Sequence, residues 1–293
     1  MYDICCIGHI TLDKVVTPKA EKHMAGGTSF YFSNAIRNMD VRYKLVTALA
    51  QKDKQFVSHL EALGIEVKTM PSEQTVYFEN IYSHNMDQRT QRVLQTAAAF
   101  TVAELVGTDA TIFHLGPLLA GDIPLALIKA LAAKSKVSLD VQGYLRKVDN
   151  TNVIAIDWQD KVEALKYITI LKANEAEMEV LTGHTDIQLG AKMLSGWGVK
   201  EVVITLGSLG SVIYADDIFY NIPAYVPAAI TDATGCGDTY MAGYLYQRVK
   251  GAGIQDAGEF GAAMASLKIE ASGPFTGTKE NVQDFLNSCK QKL

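Results

Sequence analysis

Short apolar runs alternate with segments of helical period along most of the chain. Ile4–Ile7, Lys44–Ala48, Ala110–His114, Val137–Val141, Tyr167–Leu171 and Glu201–Thr205 read as buried strands. Gln55–Leu63, Pro124–Ala133, Ala176–Leu181, Gln188–Trp197, Thr239–Val249, Gly258–Ile269 and Lys279–Leu286 carry the apolar spacing of helices. Ser33–Arg37 opens a further helix after a glycine turn, and Gly64 fits the C-cap of the second. Strand and helix in alternation predict an α/β fold around a central, mostly parallel sheet.

One stretch breaks the alternation. Thr75–Ser83 is rich in β-branched and aromatic residues, His84–Gln88 has turn character, and Arg89–Thr96 can return as a strand. Together with Thr11–Met24 this hairpin makes a small second sheet. Such a sheet suits a lid that excludes water from a site, and a surface hairpin without function is the other reading. No internal repeat or long linker divides the chain. The expectation is one domain over residues 1–293, with lid strands from about 11–24 and 72–96.

Composition narrows the function classes. The chain has 293 residues, 48% of them hydrophobic, so it can bury a core without disulfides or a structural metal. Its formal charge is −5, from 27 basic and 32 acidic residues, with no long Lys/Arg block, which argues against general nucleic-acid binding. The four cysteines (Cys5, Cys6, Cys236, Cys289) form no C-x-x-C pair, and the six histidines show no metal-ligand spacing. The absence of a signal-peptide pattern and of a long apolar run gives the expectation of a cytoplasmic protein that does not enter a membrane.

The densest candidate chemistry lies at Asp232-Ala-Thr-Gly-Cys-Gly-Asp238, directly before the helical run that begins at Thr239. The first N–H groups of a helix lack internal acceptors and sit at the positive end of its dipole. Gly235 and Gly237 let those groups turn toward a ligand, which makes an anion hole suited to phosphate. Asp238 on the first turn can accept the proton of an attacking hydroxyl. An N-cap role for Asp238 fits the same residues. The string is neither a Walker A nor a G-x-G-x-x-G motif.

This string resembles the D-T-x-G-x-G-D signature of the ribokinase (PfkB) family of carbohydrate kinases, with Ala233 in place of the usual threonine. The resemblance implies a ribokinase-like three-layer α/β sandwich with a β-sheet lid. It also implies ATP as donor, Mg2+ as cofactor, Asp238 as base, and Gly235, Cys236 and Gly237 as the anion hole. A monovalent cation such as K+ near Asp232 and Thr234 is implied as well. Gly8–Asp13 resembles the segment that carries a substrate-binding aspartate, here Asp13. Ala25–Asn34 resembles the di-glycine signature, which gives substrate contacts to Gly26, Gly27 and Asn34.

The match continues in the second half. Asn174-Glu-Ala-Glu177 resembles the N-x-x-E motif that organises magnesium and its waters, and it equally fits a helix capping box. Val202–Gly210 resembles the T-x-G-x-x-G segment near the nucleotide, so Thr205, Gly207 and Gly210 join the donor side. Ala271–Gly277 is a looser match for the segment that closes the adenine side and the cation site. Leu139–Arg146 with Arg89–Leu94 is similar to the subset that phosphorylates myo-inositol, and Arg146 becomes a substrate-binding candidate.

Three function classes stay in view. The first is a kinase for a sugar or polyol hydroxyl, with a nucleoside kinase as its nearest variant. The second is a binding protein that has lost the chemistry. The third is a phosphatase or other phosphate binder, which needs neither the N-x-x-E nor the T-x-G-x-x-G motif. A small-molecule partner is expected, and the resemblance allows dimerisation through the lid, where Val76, Phe78 and Ile81 give an apolar face.

Overall fold

The computed structural model describes residues 1–18, 20–82 and 89–290. The apolar runs meet in a nine-stranded sheet. From one edge it runs Ile218–Ile222, Ser211–Ala215, Glu201–Thr205, Ile170–Asn174, Lys136–Asp140, Ala110–Leu115, Tyr2–Ile7, Tyr43–Ala50 and Glu66–Ser72. Neighbours pair in parallel, apart from the antiparallel ladders that attach Ser211–Ala215 and Ile218–Ile222. Parallel strands covered on both faces need apolar side chains on both, which explains their unbroken apolar runs. Ile4 and Cys6 face one core, Cys5 and Ile7 the other.

Helices cover both faces. Thr28–Ile36, Gln55–Ala62, Cys236–Val249, Ile254–Ile269 and Lys279–Lys290 pack into the first core. Leu125–Ala132, Lys161–Leu165, Glu175–Thr182 and Ile187–Gly196 pack into the second. The result is the three-layer sandwich expected from the sequence. Tyr2–Ile7 lies between Tyr43–Ala50 and Ala110–Leu115, so the direction of winding reverses there. In an open parallel sheet that reversal leaves a crevice at the carboxyl ends of the strands.

A six-stranded second sheet has the order Arg146–Asp149, Asn152–Ala155, Arg89–Gln95, Val76–Tyr82, Thr11–Val16, Glu21–Gly26. Its inner side packs on Leu118 and Leu119 through Val76, Phe78 and Val93, so Val76 and Phe78 are buried within the chain instead of forming the exposed apolar face expected with Ile81. The turn expected at His84–Gln88 lies outside the described residues, as does the side chain of Arg89. The lower limit of the expected lid shifts: Glu66–Ser72 pairs with Tyr43–Ala50 in the main sheet, and the lid strand begins at Val76.

Several boundaries differ from the sequence reading for physical reasons. The first helix starts at Thr28 instead of Ser33, because Gly27 at φ 91° already turns the chain. The strand expected at Tyr167–Leu171 is Ile170–Asn174. Tyr167 and Ile168 donate to Ala164 and Leu165 and finish a helical turn, while Lys172 is buried in an ion pair that the apolar pattern does not register. Two hairpins escaped notice, Ser211–Ile222 and Arg146–Ala155. Their turns use Asp216-Asp217 and Asn150-Thr151, all at positive φ, without the glycine that marks such turns most clearly.

The helix Cys236–Val249 crosses Ile254–Ile269 closely, and this crossing fixes Asp238. A Cβ on Gly261 would stand 2.7 Å from the Tyr240 carbonyl oxygen. We expect Gly261→Val to cost about 2 kcal/mol of stability through overpacking. Urea unfolding checks this, with a lower midpoint at unchanged slope as the expected result.

Candidate active site

A cleft of about 1140 Å³ lies between the lid and the carboxyl ends of the main sheet. Asp13, Gly27, Arg146, Asn174, Thr205, Asp232, Thr234, Gly235, Gly237 and Asp238 all line it. Residues separated by the whole length of the chain thus share one space. Gly26, Asn34, Glu177, Gly207, Gly210 and Cys236 are not among the lining residues.

The anion-hole loop is shaped as its glycines suggest. Gly235 adopts φ 76° at the N-cap of Cys236–Val249, and a Cβ there would collide with the Tyr31 ring. The Cys236 N–H donates to the Ala233 carbonyl at 3.2 Å. Among the described residues the N–H groups of Gly235, Gly237 and Asp238 meet no such acceptor, so these are the donors left for an anion. The Cys236 thiol points at the Ala265 carbonyl, and burial raises its pKa to about 11, so it stays protonated.

Beneath the loop lies a compact charge cluster. The Lys172 ammonium is 3.0 Å from Asp140 and 3.8 Å from Glu177, and a Cβ on Gly237 would meet it at 3.4 Å. Burial alone would lower the pKa of Lys172, but Asp140, Glu177 and Asp238 raise it above the ordinary lysine value. Asp238 shows the opposite balance. Desolvation and the negative charge of Asp140 raise its pKa from an ordinary 3.8 to about 7, against the pull of Lys172 and a hydrogen bond with Thr28. His114, stacked on Phe32 and bonded to Ser138, is pushed down to about 4 by burial and stays neutral.

The second sheet lines the other side of the cleft. The Asp13 carboxylate accepts from the Thr11 hydroxyl at 2.6 Å. Gly26 stands against it, where any Cβ would collide with Asp13, so this glycine makes room for the carboxylate. Gly27 begins the helix that holds Thr28. Asn34 is buried in that helix and donates its amide to the Phe30 carbonyl at 2.9 Å. Asn80 and Gln91, hydrogen-bonded to each other at 3.0 Å, face the cleft beside Phe78.

On the donor side, Asn174 and Glu177 form a complete capping box, with bonds of 2.8 and 2.9 Å. Among the described residues no three His, Cys, Asp or Glu side chains gather to hold a metal. The Glu177 carboxylate accepts from the Asn174 N–H and lies 3.8 Å from Lys172, so it would reach Mg2+ through water, as this ion prefers when it arrives with phosphates. Gly207 and Gly210 adopt φ 57° and 93° in the turn after Thr205. Asp232 accepts from the Thr234 N–H at 2.9 Å and the Gly273 N–H at 3.3 Å. Burial would raise its pKa, but the bonds from Thr234 and Gly273 and the charge of Lys268 hold it below the usual carboxylate value. The Lys268 ammonium donates to the Asp232 carbonyl at 2.7 Å, beside the place expected for a monovalent cation.

Sequence reasoning passed over Lys172, Asp140, Thr28, Asn80, Gln91 and Lys268 as functional side chains. Lys172 and Asp140 did carry a signal, a charged residue at the end of an otherwise apolar strand. The others sit in lid strands or helices where polar residues are ordinary.

The sandwich, the lid and a glycine-built anion hole with a carboxylate at a helix start define a phosphotransferase of ribokinase-like fold. Residues 1–281 match the pfkB family carbohydrate kinase, and the chain belongs to that family. A cytidine kinase of Thermococcus kodakarensis is 25% identical over 95% of this chain and 100% of its own. A solved structure described as a pyrophosphate-dependent myo-inositol-1 kinase converted into a myo-inositol-3 kinase is 27% identical. It aligns over 97% of this chain and 98% of its own with a TM-score of 0.85. The ribokinase of Arabidopsis thaliana with ribose and ATP shares the fold at TM-score 0.82, 22% identity, and coverage of 97% and 98%. No helix among the described residues is long and apolar enough to cross a membrane.

The raised pKa of Asp238 has a stability consequence. The folded protein holds this proton more tightly than the unfolded chain does, so the contribution is full at low pH and is lost as pH rises from 3.8 to about 7. Asp238→Asn should therefore melt above the wild type at about pH 8 and approach it toward about pH 4. Thermal melts across that range check the sign.

Proposed function

We propose that the chain transfers the γ-phosphoryl group of ATP to a hydroxyl of a small sugar or polyol, with Asp238 as general base. The single observation that carries this is the Asp238 carboxylate in the first helical turn after Gly235, facing the same cleft as Asp13, and burial beside Asp140 pushes its pKa up to about 7. A base near neutrality is ionised at working pH and still accepts a proton well. The acceptor hydroxyl loses its proton to the Asp238 carboxylate as its oxygen attacks phosphorus. The N–H groups of Gly235 and Gly237 stabilise the charge on the transferred group. Lys172 offsets part of the negative charge there while Asp140 and Glu177 hold its ammonium in place. Mg2+, reached through water from Glu177 and Asn174, would neutralise donor phosphate charge when bound.

Asp13, Asn80, Gln91, Gln142 and Arg146 present a polar wall suited to several hydroxyls at once. That wall supports a polyol, in the direction of the myo-inositol kinase relative. Phe78, Val15 and Met24 beside it give apolar surface that would favour a nucleoside, in the direction of the cytidine kinase relative. ATP is favoured over pyrophosphate by a neighbouring groove of about 420 Å³. Leu267, Ala271, Pro274 and Phe275 line it and give room for a base, which pyrophosphate does not need.

A screen of sugars, polyols and nucleosides with ATP and with pyrophosphate tests the reading. Silence on the whole panel would support a binding protein instead. Asp238→Asn should lower kcat about 10³-fold with donor binding retained, and wild-type kcat/KM should fall about tenfold per pH unit below about 7. Asp13→Ala should raise the acceptor KM about tenfold or more, with little change in donor KM. Steady-state kinetics with each substrate varied in turn separates the two effects.

A further inference from the structure

We infer that Lys268 is a built-in cation for the anion-hole loop and takes the place of an exchangeable monovalent ion. This rests on the reading of Asp232–Asp238 as the phosphoryl-transfer loop. Lys268 stands in the last turn of Ile254–Ile269, with a side chain that is 0% exposed. Its ammonium donates to the Asp232 carbonyl at 2.7 Å and lies 3.4 Å from the Asp232 carboxylate. A buried ammonium is costly unless paired, and here its partners belong to the loop, not to the core.

The loop is fastened to the same helix end from several directions. The N–H groups of Thr231 and Asp232 donate to the Ile269 carbonyl, and the Thr231 hydroxyl to that of Glu270. The Asp232 carboxylate then receives Thr234 and Gly273 N–H groups on either side. The oxygens that a bound K+ would need, the Asp232 carbonyl and carboxylate, are therefore already bonded to an ammonium. An alkali ion added beside it would meet a fixed positive charge and ligands in use. An ammonium and K+ are similar in size and seek the same oxygens, so the side chain can hold the loop as an ion would. It does so permanently, at any salt composition.

The experiment compares wild type and Lys268→Met in potassium and in choline buffers of equal ionic strength, by thermal melting and by steady-state turnover. Wild-type melting temperature and kcat should be the same in both salts, within about twofold for kcat. Lys268→Met should melt lower and lose about a hundredfold in kcat in choline, and potassium should restore part of both. Potassium that activates or selectively stabilises the wild type would overturn the inference. So would full activity of Lys268→Met in choline. If Lys268→Met does not fold, the wild-type potassium response alone decides. If no turnover is found with any acceptor, the proposed function fails while the melting comparison still decides the role of Lys268.

Discussion

Three carboxylates share one buried ammonium, and the candidate chemistry depends on that imbalance. Lys172 is held by Asp140 at 3.0 Å and Glu177 at 3.8 Å, and Asp238 lies within their field. One positive charge cannot keep all three acids strongly ionised in a poorly solvated site. Asp140 and Glu177 are anchored to backbone N–H groups of Gln142 and Asn174. Asp238, bonded to Thr28, has its proton affinity raised by desolvation and by the charge of Asp140. The same crowding that raises its proton affinity costs the fold stability at neutral pH.

The fold brings these groups together. Asp140 ends its strand and pairs in register with Lys172 on the adjacent parallel strand, and Glu177 lies in the first turn of the next helix. Asp238 arrives from a helix packed on the opposite face of the sheet, positioned by its glycine-mediated crossing with Ile254–Ile269. The lid brings Asp13 and Arg146 over the top from two distant parts of the chain. No local segment contains the site, and the reversal of winding at Tyr2–Ile7 is what opens room for it.

Much of this was legible in the sequence, and what was not has a common physical origin. Buried parallel strands announce themselves through apolar runs, so Ile4–Ile7 and Glu201–Thr205 were read closely. Gly235 and Gly237 were read as glycines that shape a loop, and Gly235 does lie at positive φ. The donor at Cys236 was not resolvable from sequence, since only the traced backbone shows its N–H turned to Ala233. Lys172 and Lys268 were missed because a buried lysine is written in sequence like an exposed one. Hairpin turns built on Asp216-Asp217 and Asn150-Thr151 hid two pairs of strands, one of which carries Arg146 into the lid.

The most direct test is a carboxyl-carbon NMR titration of the ligand-free protein labelled at aspartate, with Asp238→Asn used to assign the signal. The account predicts one resonance, absent from the variant, that titrates near 7. An Asp238 resonance that titrates in the ordinary aspartate range near 3.8 would contradict it.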